Sequence, residues 1–166
     1  TPENYELQFD LVPFLILAVI AIVMIRLQTS FEEYLFRGYL MQGLGVIAKN
    51  RWFPLIVTSV IFGGLHFFNP EVEKLGPIIM VYYIGTGFFL GIITLMDEGL
   101  ELALGFHAGN NLVAALLVTA DWTVFQTNSV LKDISEPSAG FDVLGPVLIL
   151  YPILLGIMAY KYKCKD

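Results

Sequence analysis

Apolar residues fall in long blocks along this chain. Residues 75–96, 102–120 and 143–160 contain no Asp, Glu, Lys or Arg. Each block reaches the roughly 18–20 residues that cross a bilayer as a helix. In chain order residues 11–27 are the first block, interrupted only by Arg26 near its end, residues 52–68 are the third, and the three charge-free blocks are the fourth to sixth. Residues 33–48, which open on Glu33 of the acidic pair Glu32-Glu33, are the second block. The pattern predicts an all-α protein, a polytopic transmembrane helix bundle of about six spans forming a single membrane-embedded domain over residues 1–166. Pro54 and Pro77 sit near the starts of spans, where a missing N–H costs nothing. Pro70 follows His66-Phe67-Phe68-Asn69 and ends the third span. The loops are too short for a large soluble core.

Composition agrees. The chain is 57% hydrophobic, against about 45–50% in soluble domains, and its mean hydropathy is +0.73. The first block lacks a basic start and a small-residue cleavage site, so it is not a secretory signal. The chain begins at Thr1, and the expectation is an excerpt of a longer protein with further helices upstream. The net charge of -6, with no basic stripe, argues against nucleic acid as a partner. Basic residues gather at Lys49 and Arg51 and again at Lys161, Lys163 and Lys165, whereas residues 69–74 and 121–142 hold only Lys74 and Lys132. With six spans the two basic groups share one side, which the positive-inside rule makes cytoplasmic, C-terminus included. The lone Cys164 allows no internal disulfide and reads as a bystander thiol at a membrane end. Gly87 and Gly91 form a small-xxx-small pattern, read as helix packing. Residues 121–142, with Trp122 and Phe125, read as a segment lying at the interface.

Polar groups inside the blocks carry the candidate chemistry. In Phe31-Glu32-Glu33-Tyr34-Leu35-Phe36-Arg37, Glu33 and Arg37 stand four apart in the favoured acid-before-base order. Glu32 lies about 100° round the helix and is left free. Charges persist in membrane helices mainly where they have partners and a task. The two histidines both lie in apolar blocks: His66 after Gly63-Gly64-Leu65, and His107 in Gly105-Phe106-His107-Ala108-Gly109-Asn110-Asn111. His107 and Asn111 share a helical face, and the flanking glycines allow close approach or leave room for a substrate. Singly, each group reads as packing glue or a structural ion pair. Together they are coherent, because a carboxylate near a histidine can activate water and an imidazole with a carboxamide can stabilise an oxyanion. Glu32, His66 and His107 could also hold a divalent metal such as zinc, although no H-E-x-x-H motif is present.

These residues resemble the motifs of the CAAX prenyl protease type II family, the CPBP or Abi intramembrane proteases. Its E-E-x-x-x-R is matched by Glu32, Glu33 and Arg37, its F-x-x-x-H by Phe62 and His66, and its H-x-x-x-N by His107 and Asn111. The ordered set covers roughly residues 29–120. The resemblance implies an intramembrane endopeptidase acting on a peptide or membrane-protein substrate in the lipid bilayer. By that carry-over Glu32 activates water with help from His66, His107 and Asn111 stabilise the tetrahedral intermediate, and Glu33 with Arg37 supports the site. The acidic, short-looped chain looks bacterial, which places it in a bacterial plasma membrane. Two rivals stand beside this reading: a catalytically silent immunity or scaffold protein, and an ion-coupled carrier, against which the absence of an internal repeat argues.

Overall fold

The structure, a computed structural model, describes residues 2–138, 140 and 143–162. Lys163, Cys164 and Lys165 lie outside the described residues. Helix α1 runs from Leu11 to Ala48 without interruption. Asp10 caps its start by accepting a hydrogen bond from Val12 N at 3.3 Å, and Lys49 ends it in a left-handed conformation, φ 55°. The two blocks predicted as separate first and second spans are therefore one helix. The polar run between them reads as a loop, yet it holds no Gly or Pro, and its side chains bond along the helix. Thr29 Oγ1 donates to Ile25 O at 2.8 Å, and Gln28 Nε2 donates to Glu32 Oε1 at 2.9 Å. Within α1, Tyr34–Leu40 is a π-helical stretch, a form met mostly as single-turn bulges at functional sites.

Four helices pack beside it: α2 (Trp52–Gly64), α4 (Ile79–Asp97), α5 (Glu101–Leu117) and α6 (Pro146–Tyr162), with a short α3 (Pro70–Leu75) at one end. By length and composition, α1 and α4 are the two described helices able to cross a membrane, and α2 and α6 are shorter apolar helices. At about 1.5 Å per residue, the 38 residues of α1 extend about 57 Å, nearly twice the hydrocarbon thickness. The fourth block starts later than predicted, because Gly76 takes φ 76° and Pro77 follows it. The fifth block ends earlier, since Val118–Ala120 leaves the helix as a strand.

That strand was not expected from an all-α pattern. Strands β1 (Tyr5–Leu7), β2 (Val118–Ala120) and β3 (Leu131–Asp133) form a small sheet ordered β1-β3-β2, with β1 antiparallel and β2 parallel to β3. The sheet ties the N-terminal residues to the loop after α5, so the start of the chain lies at the end opposite Lys49 and Arg51. Six separate spans would have put both at the same end. α6 runs alongside α4 in the same direction, with Gly85 against Val147 and Phe89 stacked on Tyr151 at 4.5 Å. Lys161 therefore shares the end of Lys49 and Arg51.

Phe36, Phe62, Phe89, Leu90, Ile93, Ala103 and Tyr151 form the main core. It depends on close passage of α2 over α4. A Cβ on Gly63 would stand 2.8 Å from the Ile84 backbone, and one on Gly87 would stand 2.7 Å from Ser59 O. By contrast, Leu15, Ile16, Val19 and Ile20 of α1 are all more than half exposed, an apolar surface that water would penalise.

Candidate active site

The site is built around the π-helical stretch of α1. Glu33 and Arg37 are fully buried, and Arg37 Nη1 donates to Glu33 Oε1 at 3.1 Å. Arg37 Nη2 donates to the Gly87 carbonyl at 3.0 Å, and the guanidinium carbon lies 4.4 Å from the centre of the Phe62 ring, within cation–π range. A bare charge at this depth would cost several kcal/mol or more. Here an ion pair, a backbone carbonyl and an aromatic face share that load. Glu33 Oε2 and Arg37 Nε are buried without a hydrogen-bonding partner.

His107, on the second turn of α5, completes this floor. Its Nδ1 lies 2.7 Å from Glu33 Oε1, so with Glu33 ionised against Arg37 the Nδ1 proton is donated to the carboxylate. Its Nε2 faces Glu32 Oε2 across 3.8 Å, beyond direct hydrogen-bonding range. The Phe62 ring meets His107 edge-on at 5.7 Å. Counting from predicted span ends leaves Glu32 and His107 at different depths. The unbroken α1 removes that conflict, because the acid pair sits deep within one helix rather than at the mouth of a second.

Above the floor a cavity of about 390 Å³ is lined by Glu32, His66, Asn111 and neighbouring polar and aromatic residues. Glu32 is 20% exposed there, and Gln28 holds its other oxygen. His66 sits in the turn after α2. Its Nδ1 contacts Phe62 O at 3.0 Å; a carbonyl only accepts, so Nδ1 carries the proton and Nε2 keeps its lone pair. The ring stacks on Tyr83 at 4.4 Å, held there by the close approach at Gly63. Gly64, Gly105 and Gly109 have open space where a Cβ would stand, so of the glycines flanking the histidines only Gly63 marks a close approach. Asn110 Nδ2 donates to Asn111 Oδ1 at 3.3 Å, which leaves the Asn111 amino group free to donate.

Of the six residues singled out in the sequence, Glu32, His66 and Asn111 share the cavity wall, while Glu33, Arg37 and His107 form the floor beneath Glu32. Gln28, Tyr83 and the Gly87 carbonyl were not anticipated. The i, i+4 spacing of Gln28 and Glu32 was a usable signal; nothing in the sequence marks a carbonyl. Among the described residues, no group of three or more His, Cys, Asp or Glu side chains is placed to hold a metal ion. His66 and His107 engage only Nδ1, with a carbonyl and with Glu33, an arrangement that leaves each Nε2 able to ligate, yet Glu32, His66 and His107 are not drawn together as a three-ligand centre.

A family model described as type II CAAX prenyl endopeptidase Rce1-like matches residues 8–113, more than half of the chain. The match spans Glu32 to Asn111 and begins earlier than the motif core, taking in the first half of α1. The uncharacterized protein YyaK of Bacillus subtilis (strain 168) is 34% identical over 125 residues, covering 75% of this chain and 42% of that protein. The chain thus spans less than half the length of this curated relative. No solved structure matches it.

Proposed function

The chain belongs to the type II CAAX prenyl endopeptidase Rce1-like family, and from that we propose that it is an intramembrane endopeptidase that hydrolyses a peptide bond with water activated by Glu32. One observation carries the reading: a carboxylate, an imidazole and a carboxamide line one cavity of about 390 Å³ above a buried, charge-compensated floor. Glu32 is the general base. Gln28 fixes one of its oxygens and leaves the other toward the cavity and His107. His66, with its Nε2 lone pair free, assists in orienting the water. The Asn111 amino group donates to the developing oxyanion. Glu32 then passes the proton it took from water to the leaving amine nitrogen, and His107, held by Glu33, supports Glu32 from below. Glu33 and Arg37 fix the imidazole in place.

The apolar outer surface of α1 and the apolar composition of α4 support a bundle embedded in a lipid bilayer, and the relative from Bacillus subtilis supports the reading that this bilayer is a bacterial plasma membrane. The end holding Lys49, Arg51 and Lys161 faces the cytoplasm, and the cavity and the sheet face the opposite side. In this reading α1, α2, α4, α5 and α6 take the places of the six predicted spans. No step is routed through a metal, and chelator treatment belongs in the test. Protein reconstituted in phosphatidylcholine liposomes, incubated with membrane-anchored peptides, cleaves them, and E32Q does not while keeping the wild-type melting temperature. Cleavage by E32Q at the wild-type rate overturns the role of Glu32.

A further inference from the structure

The cavity carries a second carboxylate that the hydrolytic chemistry does not use. Glu71, at the start of α3, lines the same wall as Glu32. Its Oε1 accepts a hydrogen bond from Val124 N at 2.8 Å, which ties α3 to the loop between β2 and β3. Its Oε2 is buried with no hydrogen-bond donor. A carboxylate oxygen shut away from water and left without a donor is costly. The described lining residues include no lysine or arginine, and Lys132 of β3 pairs instead with Asp121 at 2.8 Å. The aromatic side chains of Tyr83 and Phe125 line the same space, a setting in which a cation gains further attraction.

We propose that Glu71 is a specificity-determining residue that binds a cationic side chain, lysine or arginine, of the peptide substrate. The inference rests on the endopeptidase reading of the site. A cavity of 390 Å³ is about 9 Å across if taken as a sphere, and an extended chain advances about 3.3–3.6 Å per residue. A cation on Glu71 with the scissile carbonyl at Glu32 therefore lies within about three residues of the cut bond. A small turn of the Glu71 carboxylate brings the buried Oε2 to the cavity, where the incoming ammonium or guanidinium donates to it and supplies the missing partner while Val124 N keeps Oε1.

The test uses two peptide series differing at one position near the scissile bond, lysine against its uncharged isostere norleucine. The protein sits in phosphatidylcholine liposomes, whose zero net charge does not itself recruit cations. The wild type should favour the lysine peptide in kcat/KM by about tenfold or more, in line with a charge-assisted hydrogen bond. E71Q keeps an acceptor for Val124 N and should bring that ratio close to one, and E71K should favour a glutamate-bearing peptide. A wild-type ratio near one, or an E71Q ratio equal to the wild-type one, overturns the proposal. Equal loss on both peptides in E71Q assigns Glu71 to holding the loop and also overturns it. A separate readout covers failure of the catalytic reading. If no peptide is cut, fluorescence anisotropy of the labelled peptides on E32Q protein still decides: tighter binding of the lysine peptide, lost in E32Q/E71Q, supports the subsite, and equal binding of both sinks it.

Discussion

Glu32 and Glu33 are neighbours in sequence but occupy two different regions. Glu33 belongs to a floor with no exposure, where Arg37 and His107 both reach its Oε1. Glu32 belongs to a wall, 20% exposed and facing the cavity, with a neutral amide on one oxygen and an imidazole 3.8 Å from the other. About 100° of rotation on the helix separates a carboxylate that is spent on structure from one that is available for chemistry. Substitutions in the floor should therefore lower stability and activity together, whereas substitutions in the wall should lower activity alone.

The sharpest way to break this contrast is Arg37→Ala. It strands Glu33 as an uncompensated buried charge and frees the Gly87 carbonyl, so a destabilisation of about 3–5 kcal/mol is expected, read as a large fall in melting temperature with loss of cleavage. A protein of unchanged stability would show that the floor is not charge-compensated as described. Glu32→Gln is the opposite case. Cleavage should fall by about 10²–10⁴, the range for a lost general base, while thermal unfolding stays where it was.

Asn111→Ala tests the far wall. Loss of one oxyanion donor costs about 10²–10³ in kcat, and single-turnover rates should show it with substrate binding little altered. If KM alone changes, Asn111 binds substrate rather than the transition state. Gly87→Ala probes the floor through packing. A methyl group 2.7 Å from Ser59 O must push α2 from α4, costing about 1–3 kcal/mol. Because the same residue's carbonyl accepts from Arg37, activity should drop in step with melting temperature. Gln28→Ala is the mildest: the loss of one neutral amide–carboxylate contact at the wall should slow cleavage a few-fold, about 1 kcal/mol or less, with no change in unfolding.

The sequence by itself determined the helical character of the chain, the pairing of Glu33 with Arg37, and the set of polar residues worth examining. These are local facts. Apolar blocks, four-residue spacing and the order of three short motifs depend only on residues close in the chain. Only the tertiary structure decided that Leu11–Ala48 is one helix, because a polar run can read as a loop or bond along a helix, and Thr29 and Gln28 take the second course. It decided that Val118–Ala120 is a strand, because its partners lie at residues 131–133 and, beyond them, at residues 5–7. It placed His107 on both glutamates, where counting along the chain had set it at another depth. It also supplied a carbonyl from Gly87 to Arg37, fifty residues away in sequence. Contacts of that kind arise from the approach of α2 and α4 at two glycines, and nothing in a linear pattern states which backbones will meet.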